Sequence, residues 1–300
     1  MTTTREVEQR ESTMGTVRPK SFYIEYARSV PTALLAILIH SNILIALAAM
    51  GLGVTAMGVL GFPFDPVPLA FVFVATFFGY TINRFTDRHV DSYNLPERTS
   101  FIDRFGMVGL LTGTTSLVLA LGATLVYYPR LLPLALLPVG VALVYSTTLT
   151  RRYFIIKNGL VGAIWAGIPI GLGVYYGVGI SSTLLVFAGL VFLFLSAAAI
   201  LFDIKDIPGD RKIGSDTLPV RVGPGRSRHI VGVLLLLTVP LILIATISMN
   251  GRLFVLLAYP GYLLGVLPFA TQHRGALFYG GVIDGEHILI GGLTAILFLF

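Results

Sequence analysis

The chain alternates between long apolar runs and short polar breaks, and the run lengths carry the first inference. A bilayer core needs ~20 apolar residues per helix, and such runs occupy roughly 31–51, 66–83, 107–128, 131–149, 158–178, 182–202, 229–249, 253–271 and 285–300. The pattern predicts an all-α polytopic membrane protein of nine transmembrane helices, the last of them short. The breaks between runs alternate in character. "GFPFDP", "YYPR", "YGVGISS" and "MNGR" are short and rich in Gly and Pro, whereas the breaks on the other side are longer and charged. Of 21 Lys and Arg residues, only Arg130 and Arg252 fall in the first set. The positive-inside rule therefore predicts a cell-membrane protein with its N-terminus and charged loops in the cytoplasm.

Composition agrees. Hydrophobic residues make up 55% of the chain and charged residues 12%, against about a quarter charged in soluble domains. The net charge of +6 follows from topology and anionic lipid, so it gives no argument for a nucleic-acid partner. The chain has no cysteine, which excludes disulfides, thiolate catalysis and Cys-ligated zinc or iron–sulfur centres. Residues 1–20 read as a disordered tail and 21–300 as the membrane domain, opening with an interfacial helix over about 21–30. The polar, mixed-charge start shows no cleavable signal pattern.

Two polar clusters interrupt the oil. In "NRFTDRHVDSYNLPERT", Asn83, Asp87 and Asp91 fall one helical turn apart and share a face. "DIKDIPGDRKIGSDTLPVRVG", from residue 203, offers Asp203, Asp206 and Asp210 at similar spacing. Pro208 disfavours helix at Ile207 and Gly209 follows, so a kink or break is expected before Asp210. Both clusters lie at the cytoplasmic ends of even-numbered spans. Two facing carboxylate sets suit a hard cation such as Mg²⁺, which keeps several waters and takes one or two carboxylates plus substrate phosphate. The bland alternative is a set of interfacial charges ending helices.

These two stretches resemble the paired motifs of the UbiA superfamily of intramembrane prenyltransferases, in the manner of the 4-hydroxybenzoate polyprenyltransferases. The first carries Asn83, Asp87, Asp91 and an N-x-P-x-R element at Asn94, Pro96 and Arg98. The second has an acidic triplet, D-R-x-x-G, and a T-L-P-V-x-x-G tail. The resemblance implies helices bundled around a central cavity under a cytoplasmic cap. It also implies Mg²⁺-dependent transfer of an isoprenyl group from a diphosphate to a lipophilic acceptor. Asn83, Asp87, Asp91, Asp203, Asp206 and Asp210 then form the catalytic set, with Asp87, Asp91, Asp206 and Asp210 on the metal. Arg88, Arg98 and Lys205 are candidates for phosphate.

One departure stands out. Many members carry a Tyr-x-x-x-Lys element after the fourth span, and here Tyr145 is followed at +4 by Leu149. Arg151, Arg152 or Lys157 is left to supply the cation, headgroup anchoring being the ordinary role of each.

An allylic cation left by departing diphosphate needs a dry wall, and aromatic faces stabilise it. Tyr145, Tyr175, Tyr176 and Trp165 are candidates, although packing or interface anchoring is the usual role of such residues. His40, Ser41 and Asn42 inside the first span read as buried hydrogen-bonded groups, and His273, Asp284, Glu286 and His287 carry no assigned role. The competing class is a transporter or channel, which places ionisable groups within its spans. Residues 159–201 contain no Asp, Glu, Lys or Arg. Lipid phosphotransfer is weakened by the absence of its compact D-G…A-R signature, and no Gly-rich phosphate loop supports an ATP-driven role. Acceptor, prenyl length and oligomeric state are not encoded in any of these patterns.

Overall fold

The computed structural model describes residues 29–145 and 154–299. The tail and most of the expected interfacial helix lie outside them. The described residues form helices and turns without a strand. In chain order the helices are α1 (Val30–His40), α2 (Ile43–Leu60), α3 (Pro66–Thr86), α4 (Arg88–Asn94), α5 (Pro96–Tyr127), α6 (Leu132–Tyr145), α7 (Phe154–Tyr175), α8 (Ser182–Ile213) and α9 (Leu218–Ser248). A 3₁₀ turn at Gly251–Leu257 leads into α10 (Ala258–Val266), and a π-helical turn at Leu277–Ile283 precedes α11 (Glu286–Phe298).

Eight helical stretches among the described residues are long and apolar enough to cross a bilayer. The ninth expected span is α6, 14 residues long, and the residues expected to complete it lie outside the described set. Helix starts follow local chemistry. Asp65 accepts the Val67 N–H at 2.8 Å with Pro66 in the first turn, and Ser181 accepts the Leu184 N–H at 3.2 Å, each satisfying an orphan donor.

Packing sorts the helices into inner and outer. In their most apolar stretches α2 and α8 are 67% and 61% buried and α5 only 11%, so α5 turns Met107, Leu111, Val118 and Val126 outward, as lipid requires. α2 packs on α3 and α11, and α8 on α7 and α9. The α2–α11 seam is backbone-close: a Cβ on Gly51 would lie 2.3 Å from the His287 carbonyl oxygen. Small residues at such crossings let van der Waals contact replace the missing hydrophobic drive.

Two expectations are corrected. The first predicted span is two helices, broken at Ser41–Asn42, where Asn42 adopts a left-handed φ of 64° and donates to Thr81 Oγ1 at 3.3 Å. Asn tolerates that region better than other non-glycine residues. The predicted break near Pro208 is absent, because α8 runs through it to Ile213 and ends at Gly214 with φ 69°. Pro208 supplies no N–H to the ladder. The next N–H, that of Gly209, finds its acceptor on α4.

Candidate active site

The first acidic motif lies where α3 gives way to α4. The helix is interrupted at Asp87 (φ −95°, ψ 3°), yet its hydrogen bonds continue. Asp87 N–H donates to Asn83 O at 2.9 Å, Asp91 N–H to Asp87 O at 2.8 Å, and Leu95 N–H to Asp91 O at 2.7 Å. The one-turn spacing of Asn83, Asp87 and Asp91 therefore survives the interruption. The second motif is the last three turns of α8, and α4 packs directly on it. Asn94 joins the two: its Oδ1 accepts the Gly209 N–H at 2.8 Å.

Charges alternate across this junction. Asp91 sits between Arg84 (3.9 Å) and Arg98 (3.8 Å), and buried Arg98 also feels the field of Asp206. Asp203, 2% exposed, accepts from Lys157 Nζ at 2.7 Å on one oxygen and from Asn158 Nδ2 at 3.0 Å on the other. Lys205 Nζ lies 2.7 Å from both oxygens of Asp206, and Asp210 accepts from Thr217 at 3.1 Å. Beyond the motif, Arg221 forks onto Asp216 through Nε and Nη2, and those hydrogen bonds hold the Asp216 carboxyl below the usual carboxylate range.

The structure thus gathers Asp91, Arg98, Lys157, Asp203, Lys205, Asp206 and Asp210 into one network, with Asn83 and half-buried Asp87 on its α3 side. Arg88 is turned away, paired with Asp103 at 2.6 Å on an exposed surface. Arg151, Arg152 and the Tyr145 side chain lie outside the described residues. Arg84, Asn94, Asn158 and Thr217 are partners that sequence reading missed. Asn94 and Thr217 carried a signal, their places in the N-x-P-x-R and T-L-P-V-x-x-G elements.

Below the network an apolar cavity of about 400 Å³ runs between α3, α6 and α7, from Asn83 and Tyr80 at one end to Val67, Tyr128 and Tyr175 at the other. Residues 67 and 83 of α3 are separated by ~24 Å at the helical rise per residue. This corrects the aromatic wall. Tyr175 donates to Asp65 Oδ2 at 2.7 Å and Tyr176 to Pro63 O at 2.7 Å, so both stand at the far end, too distant to stabilise charge near the carboxylates. Trp165 lines the middle. Tyr80, one turn before Asn83 and 5.9 Å from the Arg84 guanidinium, is the aromatic at the mouth.

The donor set fits Mg²⁺. Among the described residues no three His, Asp or Glu side chains converge to hold an ion unaided, so Mg²⁺ here would take one or two carboxylates and need water and substrate phosphate to fill its octahedron. Asp91 Oδ2 is buried without a hydrogen-bond partner among the described residues, Arg84 Nη1 standing 3.9 Å away, so it has a lone pair to offer such a ligand.

Carboxylates and cations meeting over a long apolar channel suit a ligand with a charged head and a hydrocarbon tail, the character of an intramembrane lipid site. Comparison with known proteins gives that class a family. The profile of the UbiA prenyltransferase family matches residues 43–278, and the chain belongs to this family. It is 30% identical over 156 residues to the digeranylgeranylglyceryl phosphate synthase of Methanoregula boonei, covering 52% of this chain and 56% of that one. It is 32% identical over 195 residues to the synthase of the same name from Natronomonas pharaonis, covering 62% and 68%. The chain spans about half the length of the first curated relatives it matches. A UbiA homologue from Archaeoglobus fulgidus, solved with DMAPP and Mg²⁺, shares the fold with a TM-score of 0.60 at 16% identity, over 87% of this chain and 99% of that one.

Proposed function

We propose that the protein transfers a long prenyl chain from its diphosphate to the hydroxyl of a glyceryl phosphate ether lipid. The observation that carries the donor half is the Asn94–Gly209 contact, which docks two acidic motifs over the mouth of an apolar channel at Asn83. The acceptor half rests on the names of the relatives, all digeranylgeranylglyceryl phosphate synthases.

In this reading Mg²⁺ would be held by one or two carboxylates at a time from Asp87, Asp91, Asp206 and Asp210, with water and substrate phosphate completing its shell, and would neutralise charge on the leaving diphosphate. Arg84, Arg98, Lys157 and Lys205 face the same anion, Arg98 with a planar fork suited to paired phosphate oxygens. Lys157 takes the place of the lysine missing at position 149. The prenyl C1–O bond breaks with its electron pair leaving on diphosphate, the acceptor oxygen bonds C1, and the hydroxyl proton passes to the released diphosphate. Tyr80 presents its face to the developing cation. The N-terminus and the motif loops face the cytoplasm in this reading, which the distribution of Lys and Arg supports.

The test is transfer in lipid nanodiscs with Mg²⁺, geranylgeranyl diphosphate and geranylgeranylglyceryl phosphate, read by mass spectrometry of the ether product. Donor turnover onto an aromatic acceptor but not the glyceryl phosphate would replace the acceptor. Turnover onto neither would remove the proposal.

A further inference from the structure

The far end of the channel is built, and nothing in the chemistry at the carboxylates accounts for it. Tyr175 lines that end, and its hydroxyl is fixed on Asp65 Oδ2 at 2.7 Å. The other oxygen of Asp65 accepts the Val67 N–H at 2.8 Å, so one carboxylate both starts α3 and ties α7 to it. Tyr128 packs on the Tyr175 ring at 5.8 Å, Tyr176 meets it edge-on at 5.1 Å, and Phe62 covers Tyr176 at 4.8 Å. The channel is roomy above the stop: at Gly167, an exposed residue of its lining, an added Cβ would meet no atom of the described residues within 4 Å.

We infer that the Tyr175–Asp65 lock is the depth stop of the channel and sets the longest prenyl chain the enzyme accepts. The inference rests on the prenyltransferase reading above and goes beyond it by naming the residues that select the donor. The length is consistent. The channel extends ~24 Å along α3 from Asn83 to Val67. With C–C bonds of ~1.5 Å in a zigzag, a prenyl chain of about 16 main-chain carbons, four isoprene units, extends over ~19 Å. One further unit brings the tail against the Tyr175 ring. A longer chain must displace a ring held at its hydroxyl by a charge-assisted hydrogen bond, which is stronger than a neutral one.

The experiment offers the purified enzyme in nanodiscs a series of prenyl diphosphates from two to eight isoprene units and measures kcat/KM for each. Tyr175→Ala should raise the eight-unit to four-unit ratio at least tenfold, and Asp65→Asn, which keeps the N-cap acceptor, should raise it less. Gly167→Phe fills the bore two turns above the stop and should do the reverse, abolishing four-unit transfer while two-unit transfer persists. An unchanged length profile in Tyr175→Ala would overturn the depth stop. If that variant fails to fold, Gly167→Phe decides: retained four-unit transfer means that the tail does not follow this channel, and the inference falls. Wild-type enzyme that turns over no prenyl diphosphate would instead defeat the donor reading itself, so the two failures are distinguishable.

Discussion

Asn94 Oδ1 lies 2.8 Å from the backbone nitrogen of Gly209, across 115 residues of sequence, and a Cβ placed on Gly209 would sit 2.1 Å from that oxygen. The proline before Gly209 removes one rung of α8, the amide side chain accepts the N–H that follows, and the missing Cβ lets α4 close onto α8. Gly209→Ala should therefore push α4 off α8 and lower kcat/KM at least a hundredfold. Asn94→Ala leaves a buried N–H unpaired, at about 1–3 kcal/mol, and should lower the melting temperature as well as activity. Thermal unfolding in detergent and a transfer assay check both. Wild-type turnover in Gly209→Ala would show that the two motifs need not touch.

Removing the cation from Asp203 is the second test. Lys157→Ala leaves a carboxylate 2% exposed with, among the described residues, only Asn158 to bond it, and breaking a buried pair on one side costs about 3–5 kcal/mol. The double variant Lys157→Ala/Asp203→Asn should recover much of that stability without recovering diphosphate binding. A double variant with normal KM for donor would assign Lys157 to structure alone.

Both acidic motifs should be needed for metal-dependent turnover. Asp87→Ala and Asp206→Ala are each expected to abolish prenyl transfer in protein that still elutes as a monodisperse peak, and chelation of Mg²⁺ should do the same to wild type, reversibly. Near-normal activity in either variant would refute a shared site.

Topology can be read by labelling, because the chain has no cysteine background. Ser100→Cys and Ser215→Cys should react only from the cytoplasmic side and Gly179→Cys only from the opposite one. Labelling of position 100 or 215 from outside alone would invert the orientation.

The residues show which of these properties are local. Spans were legible because burial in lipid demands an unbroken apolar run, and Asn83, Asp87 and Asp91 because one helical turn is a fixed spacing. The acidic motifs likewise announced themselves by carboxylates that oil does not tolerate without a purpose. What the chain alone could not decide is who faces whom. The acceptor of the Gly209 N–H, next to Pro208, is Asn94 on α4, and the counter-charge of Asp203 comes from Lys157 on another helix, 46 positions away. Sequence offers Tyr175 as a candidate for a cation-stabilising wall beside its usual packing role, and only the fold sets it ~24 Å from Asn83 along the channel. Local periodicity places a side chain on a face of its own helix; only the packing of helices, fixed by contacts between residues distant in sequence, determines what that face meets.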